Sequence, residues 1–227
     1  MTRFSTILRS EALQWLLIAA NVAIAIYGWA TLPDVVPVHW NAAGQIDRNG
    51  SKLELLILPA AAAGSYFLLR FLPRIDPGRA NYAQFAGAYA AIRLLILAGL
   101  TAMAAVTVLA AGGAPIDMAR VIGVITGLLV ASTGNLMGKV RPNFFVGIRT
   151  PWTLTSKRSW VKTHRVGGWV LTAFGLALVL AALLGAGQVM GVLGAAGGVS
   201  VHGLAVYSFL VWRTDPERVT PAGTQPA

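Results

Sequence analysis

Positions 90–111 read "AAIRLLILAGLTAMAAVTVLAA", twenty-two residues with a single charge, Arg93. A helix that crosses the hydrocarbon core of a bilayer needs about 20 mostly apolar residues. This stretch meets that length with no acid in it, so its natural solvent is lipid. Working outward, five further stretches of the same kind appear. They run from about Ala12 to Ala30, Leu53 to Leu72, Val121 to Met137, Gly168 to Leu184 and Val189 to Trp212. The whole chain has 227 residues, of which 56% are hydrophobic and only 11% charged. Soluble domains carry about 25% charged residues, so the charge deficit agrees with the spans. The reading is an all-α polytopic membrane protein with six transmembrane helices. The first span ends in "GWA" at 28–30 but is longer than the 7–15 apolar residues of a signal peptide, so it reads as a retained helix.

The net charge is +10, and its placement says why. Arg and Lys side chains collect on alternate loops: Arg3 and Arg9, then Arg70, Arg74 and Arg79, then seven between Lys139 and Arg165, then Arg213 and Arg218. The opposite loops hold only Arg48, Lys52 and Arg120. Basic residues stay in the cytoplasm, so both termini are expected there, N-in/C-in. The same distribution accounts for the charge without a nucleic acid, which would want a basic water-soluble module. Four parts follow: a helical pair over 1–72 with a structured extracytoplasmic loop at 31–52, two central helices over 73–138, a basic and aromatic inner loop with a C-terminal helical hairpin over 139–212, and a polar tail, 213–227, expected to be disordered.

Two loops are too rich to be simple connectors. The outer one reads "TLPDVVPVHWNAAGQIDRNGSK" from Thr31 to Lys52. Pro33 and Pro37 stop helix continuation, and Gly44 and Gly50 suit turns. Between them lie His39, Trp40, Asn41 and Asp47. Three readings stay open: an interfacial lid, a loop that contacts a ligand, or a metal site on Asp34, His39 and Asp47. The last lacks a recognised ligand spacing. The inner one centres on "RPNFFVGIRTPWTLTSKRSW", 141–160. Its Lys and Arg alternate with aromatics, which attracts anionic headgroups at about 1 kcal/mol per basic residue. Yet Asn143, Gly147, Thr150, Pro151 and Thr153 exceed what an anchor needs. Their amides and hydroxyls suit a shaped loop folded back on the helices, where non-helical backbone must find partners.

Within the spans, His202 is central to the sixth. It reads either as a functional ionisable group or as a neutral imidazole bonded to a neighbouring helix, with Ser132, Thr133 and Asn135 of the fourth span as partners. Arg93 lies near the cytoplasmic end of its span and is expected to snorkel. Glycines four apart, at 123/127, 134/138, 187/191 and 194/198, allow close helix approach. That spacing serves packing within the chain and would also serve a homodimer. Cysteine is absent, which removes disulfides and thiolate chemistry. No phosphate-binding glycine loop, no His-Glu-x-x-His and no Gly-x-Ser-x-Gly is found. No cofactor, no metal and no enzymatic activity are expected.

The outer block "LPDVVPVHWNAAGQIDRNGSK" resembles the signature of a domain of unknown function common in bacterial membrane proteins. The longer block "GNLMGKVRPNFFVGIRTPWTLTSKRSWVKTHRVGG" resembles the hallmark of the SdpI family, immunity proteins against a sporulation-delaying peptide toxin, and "GIRTPWT" is its specific part. The resemblance implies a multi-pass protein of the bacterial cell membrane that protects its host from a membrane-active peptide. Its partners would be anionic lipid headgroups, the toxin, and a cytoplasmic repressor held at the membrane. It points to His39, Asn41, Gly44, Asp47 and Lys52 outside, with Trp40 beside them. Inside it points to Asn135, Pro142, Asn143, Gly147, Arg149, Thr150, Pro151, Trp152, Thr153, Trp160, Thr163, His164 and Arg165, with Arg141 of the basic loop a further candidate beside them. Relatives place acids just after the "TPWTL" run, where this chain has Lys157 and Arg158. A small-molecule or lipid carrier, with a path along spans four and six through His202, is the alternative.

Overall fold

The structure, a computed structural model, describes residues 3–185 and 187–219, with side chains described over 11–185 and 194–219. Seven helices and one hairpin follow in order: α1 Arg3–Thr31, β1 Val35–Trp40, β2 Ile46–Ser51, α2 Ile57–Ile75, α3 Ala86–Ala111, α4 Met118–Met137, α5 Pro151–Leu154, α6 Lys157–Leu183 and α7 Gly187–Arg213. All but α5 are long and apolar enough to cross a membrane, which makes six spans. α6 starts well before the span read at Gly168. Ser156 caps it by accepting a 2.8 Å bond from the Ser159 amide, and the basic turn simply continues into the apolar run. Such a cap satisfies one of the amides that a helix start leaves unpaired.

The loop between α1 and α2 adds strand to a mostly helical protein. β1 and β2 pair antiparallel, with Val36 opposite Gly50 and Trp40 opposite Ile46, and the ladder is irregular around His39. Val35, Val36 and Val38 are β-branched, which suits a pleated half-buried surface. Pro37 breaks a helix but is tolerated in a short strand at an edge. Asn41 closes the turn: its Oδ1 accepts from the amides of Ala43 and Gln45 at 2.9 and 3.0 Å. Gly44 sits at φ 76°, a left-handed conformation that glycine takes at little cost. Val36 is fully buried and packs with Leu55 and Val108, which fastens the hairpin onto the ends of α1, α2 and α3.

Helices α4 and α6 approach closest, through small residues. A Cβ on Gly127 would lie 2.7 Å from the Gly175 carbonyl, and one on Gly175 would lie 2.3 Å from the Ala131 amide nitrogen. Gly134 faces Gly168 and Thr172 in the same way. Of the spaced glycines, Gly127 and Gly134 are thus absorbed inside the chain. Gly138, Gly194 and Gly198 have open space where a Cβ would stand. The packing around Gly187 and Gly191 lies outside the described residues.

Three expectations change. Arg93 does not snorkel: its side chain is buried and its Nη1 sits 2.8 Å from Glu11 Oε1 on α1. Tyr66 on α2 donates to the same carboxylate at 2.9 Å, so three helices share one partly buried ion pair. A lone guanidinium in hydrocarbon costs several kcal/mol, roughly 3 on insertion scales, and the Glu11 carboxylate removes that cost. The acid was not paired in the sequence because it lies at the edge of its span, eighty-two positions away. Among the described residues His202 makes no hydrogen bond to a neighbouring helix. Its Nδ1 bonds the Gly198 carbonyl at 2.8 Å on its own helix, and the ring faces outward. The tail is ordered at its start. Asp215 is buried and accepts a short bond from Ser156 Oγ, and the Val219 amide donates to the Thr155 carbonyl at 2.9 Å. Residues 220–227, expected to be disordered, lie outside the described residues.

Candidate functional site

The two polar loops sit at opposite ends of the bundle and are built differently. At the hairpin end, His39 Nδ1 lies 2.6 Å from Asp47 Oδ1, and both side chains are exposed. Arg48 forms a fork with Glu54 at 3.0 and 2.8 Å. Lys52 Nζ holds Asp34 at 2.8 Å, and that bond keeps the Asp34 carboxyl below the usual range. The Glu54 bond in turn raises the Arg48 guanidinium. Asp34 is therefore committed to Lys52 rather than to His39. Among the described residues no group of three His, Cys, Asp or Glu comes together for a metal, so the metal reading of this loop is set aside.

Below the hairpin lies a cavity of about 440 Å³, between Val38, His39 and Trp40 above and Ala104, Thr107 and Met118 below. Arg48 and Glu54 stand at its edge. Its wall is mostly apolar with a few polar groups at the rim, the usual make-up of a ligand pocket. His39 and Trp40 are brought to it. Asn41, Gly44 and Asp47 are not in its lining; Asn41 and Gly44 shape the turn, and Asp47 orients His39.

At the other end the loop consumes its own polar groups. Asn143 is buried. Its Nδ2 donates to the carbonyls of Arg141 and Val146 at 2.9 Å each, while its Oδ1 accepts from the amides of Phe145 and Val146. Asp76, at the end of α2, accepts from the amides of Gly78 and Phe144 and from Tyr82 Oη. Burial raises the Tyr82 phenol, and the Asp76 bond raises it further. Asn81 donates to the Pro142 carbonyl at 2.8 Å, and Arg149 to that of Phe144 at 3.0 Å.

Thr150 caps α5 reciprocally with Thr153, and Pro151 opens that helix, a position where its missing amide costs nothing. Thr150 also bonds Ser208 of α7 at 2.9 Å, and Trp152 packs on Phe209 with ring centres 5.2 Å apart. His164 accepts the Ile148 amide on Nε2 at 3.0 Å, and its Nδ1 lies 2.8 Å from the Trp160 carbonyl. These partners require a neutral ring protonated on Nδ1. His164 stacks on Trp160, whose Nε1 donates to the Val140 carbonyl at 3.0 Å. Gly147, at φ 110°, is where the loop passes over the ring.

The inner residues singled out by sequence thus fall into two sets. Asn143, Thr153, Trp160 and His164 are buried and fold the loop, and Thr163 is buried beside them. Arg149, Pro151 and Arg165 are exposed, with Arg141 and Pro142 partly so. Asn135 stands apart on the outward face of α4. The residues that sequence reasoning missed are the partners: Asp76, Asn81, Ser156, Ser159, Ser208 and Asp215. The Ser156 and Ser159 hydroxyls were legible as helix-start residues; the others touch the loop only through folding.

Residues 139–208 match the SdpI/YfhL protein family, and residues 16–63 match the domain of unknown function DUF1648. The chain is also similar to the immunity protein SdpI of Bacillus subtilis (strain 168). The two are 22% identical over 173 residues, covering 76% of this chain and 81% of that protein. No solved structure matches it. The protein is a multi-pass cell-membrane protein in which a segment matching DUF1648 precedes a second segment, 139–208, that matches the SdpI/YfhL protein family.

Proposed function

We propose that this protein is an immunity factor that acts by binding, not by catalysis, and protects its host membrane from a membrane-active peptide. The distribution of Arg and Lys supports a hairpin that faces outward and a basic loop that faces the cytoplasm. The observation that carries the reading is the cavity of about 440 Å³ under the hairpin, apolar inside and rimmed by His39, Arg48 and Glu54. An amphipathic peptide arriving from outside would bury an apolar side chain there, with its backbone and charges left at the rim. At the other end, Phe144, Phe145 and Arg149 remain exposed beside Lys157 and Arg158, a surface suited to a cytoplasmic repressor.

The carrier reading has less support. Its path was to run through His202, which faces outward and bonds its own helix. The test is expression in a strain killed by a membrane-active peptide. Survival is expected, and Thr107→Phe, which fills the cavity from α3, should abolish it while the protein still reaches the membrane. Unchanged killing with the parent protein removes the reading for that peptide.

A further inference from the structure

A second groove of about 410 Å³ lies on the outward face between α4 and α6, away from the hairpin. Its floor is made by Gly134 and Gly168, which face each other across the helix crossing, and by Gly138. Asn135, Arg165 and Trp169 stand along it. All three are exposed, and among the described residues none of the three makes a hydrogen bond or ion pair. Asn135 lies two residues from the end of α4, at the depth where lipid headgroups begin, so its amide can meet a phosphate. Here three donors share one groove, and no acid is among its lining residues.

The groove also has a direction. Arg165 and Asn135 stand at the basic end, and the lining runs along α6 to Leu176. Eleven residues of helix rise about 16 Å. Half of the hydrocarbon core is about 15 Å. Charge at one end, an apolar floor beyond it and the depth of one leaflet together describe a glycerophospholipid.

We propose that the α4–α6 groove binds one anionic phospholipid of the leaflet at the basic end, its phosphate held by Arg165, Asn135 and Trp169 and one acyl chain lying towards Leu176. An anionic headgroup fits better than a zwitterionic one, because the groove offers donors and a cation but no carboxylate for an ammonium. A second copy of the chain fits worse: a two-fold interface through this face would set the two Arg165 side chains towards each other, a like-charge contact.

Gly138 makes the test clean. A Cβ there meets nothing within 4 Å, and the residue is in the right-handed helical region, so Gly138→Trp fills the groove without pressing on the fold. Purified protein is titrated with phosphatidylglycerol or phosphatidylcholine and read by native mass spectrometry. The parent should retain phosphatidylglycerol roughly fivefold better, in line with about 1 kcal/mol per headgroup-facing cation. Arg165→Gln and Gly138→Trp should each lose that preference, and Asn135→Leu should weaken retention of both lipids. Lys162→Gln, an exposed cation outside the groove, should keep it. Equal loss in Lys162→Gln and Arg165→Gln would mean a diffuse surface charge and overturns the site. Undiminished retention by Gly138→Trp overturns it too. So does a parent that shows no headgroup preference, or a dimer that Gly138→Trp dissociates with lipid retention unchanged.

Discussion

The hairpin and the basic loop are both polar segments of about twenty residues at membrane ends, yet they spend their polar groups in opposite ways. In the hairpin, His39 pairs with Asp47, Lys52 with Asp34 and Arg48 with Glu54 at the surface, and the apolar underside stays open over a cavity. In the basic loop, Asn143, Thr153, His164 and Asp76 turn inward and take up backbone groups. The first arrangement leaves side chains free to meet a ligand. The second leaves few, and its dense motif describes a way of folding backbone against lipid-embedded helices.

Breaking the comparison starts where the basic loop is tightest. Gly147→Ala puts a Cβ 2.3 Å from His164 Nε2 at a φ of 110°. Strain and displaced ring together should cost on the order of 3 kcal/mol. The detergent-solubilised protein should melt at clearly lower temperature, and an unchanged melt would show that the loop does not rest on His164. Next in size is His164→Phe. It keeps a ring beside Trp160 but leaves the Ile148 amide without its acceptor, a loss of about 1–3 kcal/mol. Measured by the same melt, it should fall between the parent and Gly147→Ala.

The hairpin should answer more weakly. Gly44→Ala meets the Ala119 amide nitrogen at 2.9 Å with φ at 76°, so the turn must lift from the start of α4 at a cost of about 1–2 kcal/mol. Amide exchange should rise in the hairpin alone while the helices keep their protection. Arg48→Ala should leave the melt within error, since an exposed ion pair adds little to stability. Protection against a peptide toxin should nevertheless fall in that variant. A stability loss as large as that of His164→Phe would mean that the two ends are not built on different principles.

How much of this was legible beforehand follows from range. The six spans are written in runs of about twenty apolar residues, and the run at 90–111 alone decides the solvent. Gly127 and Gly134 were visible as members of the pairs 123/127 and 134/138, whose spacing of four allows close helix approach but does not name the partner helix. The hairpin was hidden: Pro33 and Pro37 read as breakers, and three valines are too short a pattern to outweigh them. What remained illegible is pairing across distance. Glu11 and Arg93, Asp76 and Phe144, and Ser156 and Asp215 each join residues fifty-nine or more positions apart. Nothing in either neighbourhood names the other. In the "GIRTPWT" run, Arg149, Thr150 and Thr153 take up backbone groups, Gly147 lets the chain pass over His164, and Trp152 packs on Phe209.

The smallest expected effect concerns the tail, where the basic loop borrows a group from beyond α7. Asp215 accepts from Ser156 Oγ, and that bond holds its carboxyl below the usual value of 3.8; Arg158 and Arg218 act in the same direction, and the Glu217 amide adds a further bond. A carboxyl lowered by folding stabilises the fold above its unfolded value and loses that contribution only as pH falls through the folded one. The tail should therefore stay docked, unchanged, from about pH 5 to pH 8, and release only in acid below the ordinary aspartate range. The Val219 amide, bonded to the Thr155 carbonyl, reports this directly through its NMR shift. In Asp215→Asn the acid transition should vanish, because no charge is left to protonate. A Val219 transition near neutral pH in the parent would mean that a histidine, not Asp215, governs the latch; His164 is the buried imidazole of that end, held neutral between Ile148 and Trp160. That result would tie the tail to the same ring that supports Gly147 and would make the basic loop a single cooperative unit, rather than a folded loop with a separately fastened strap.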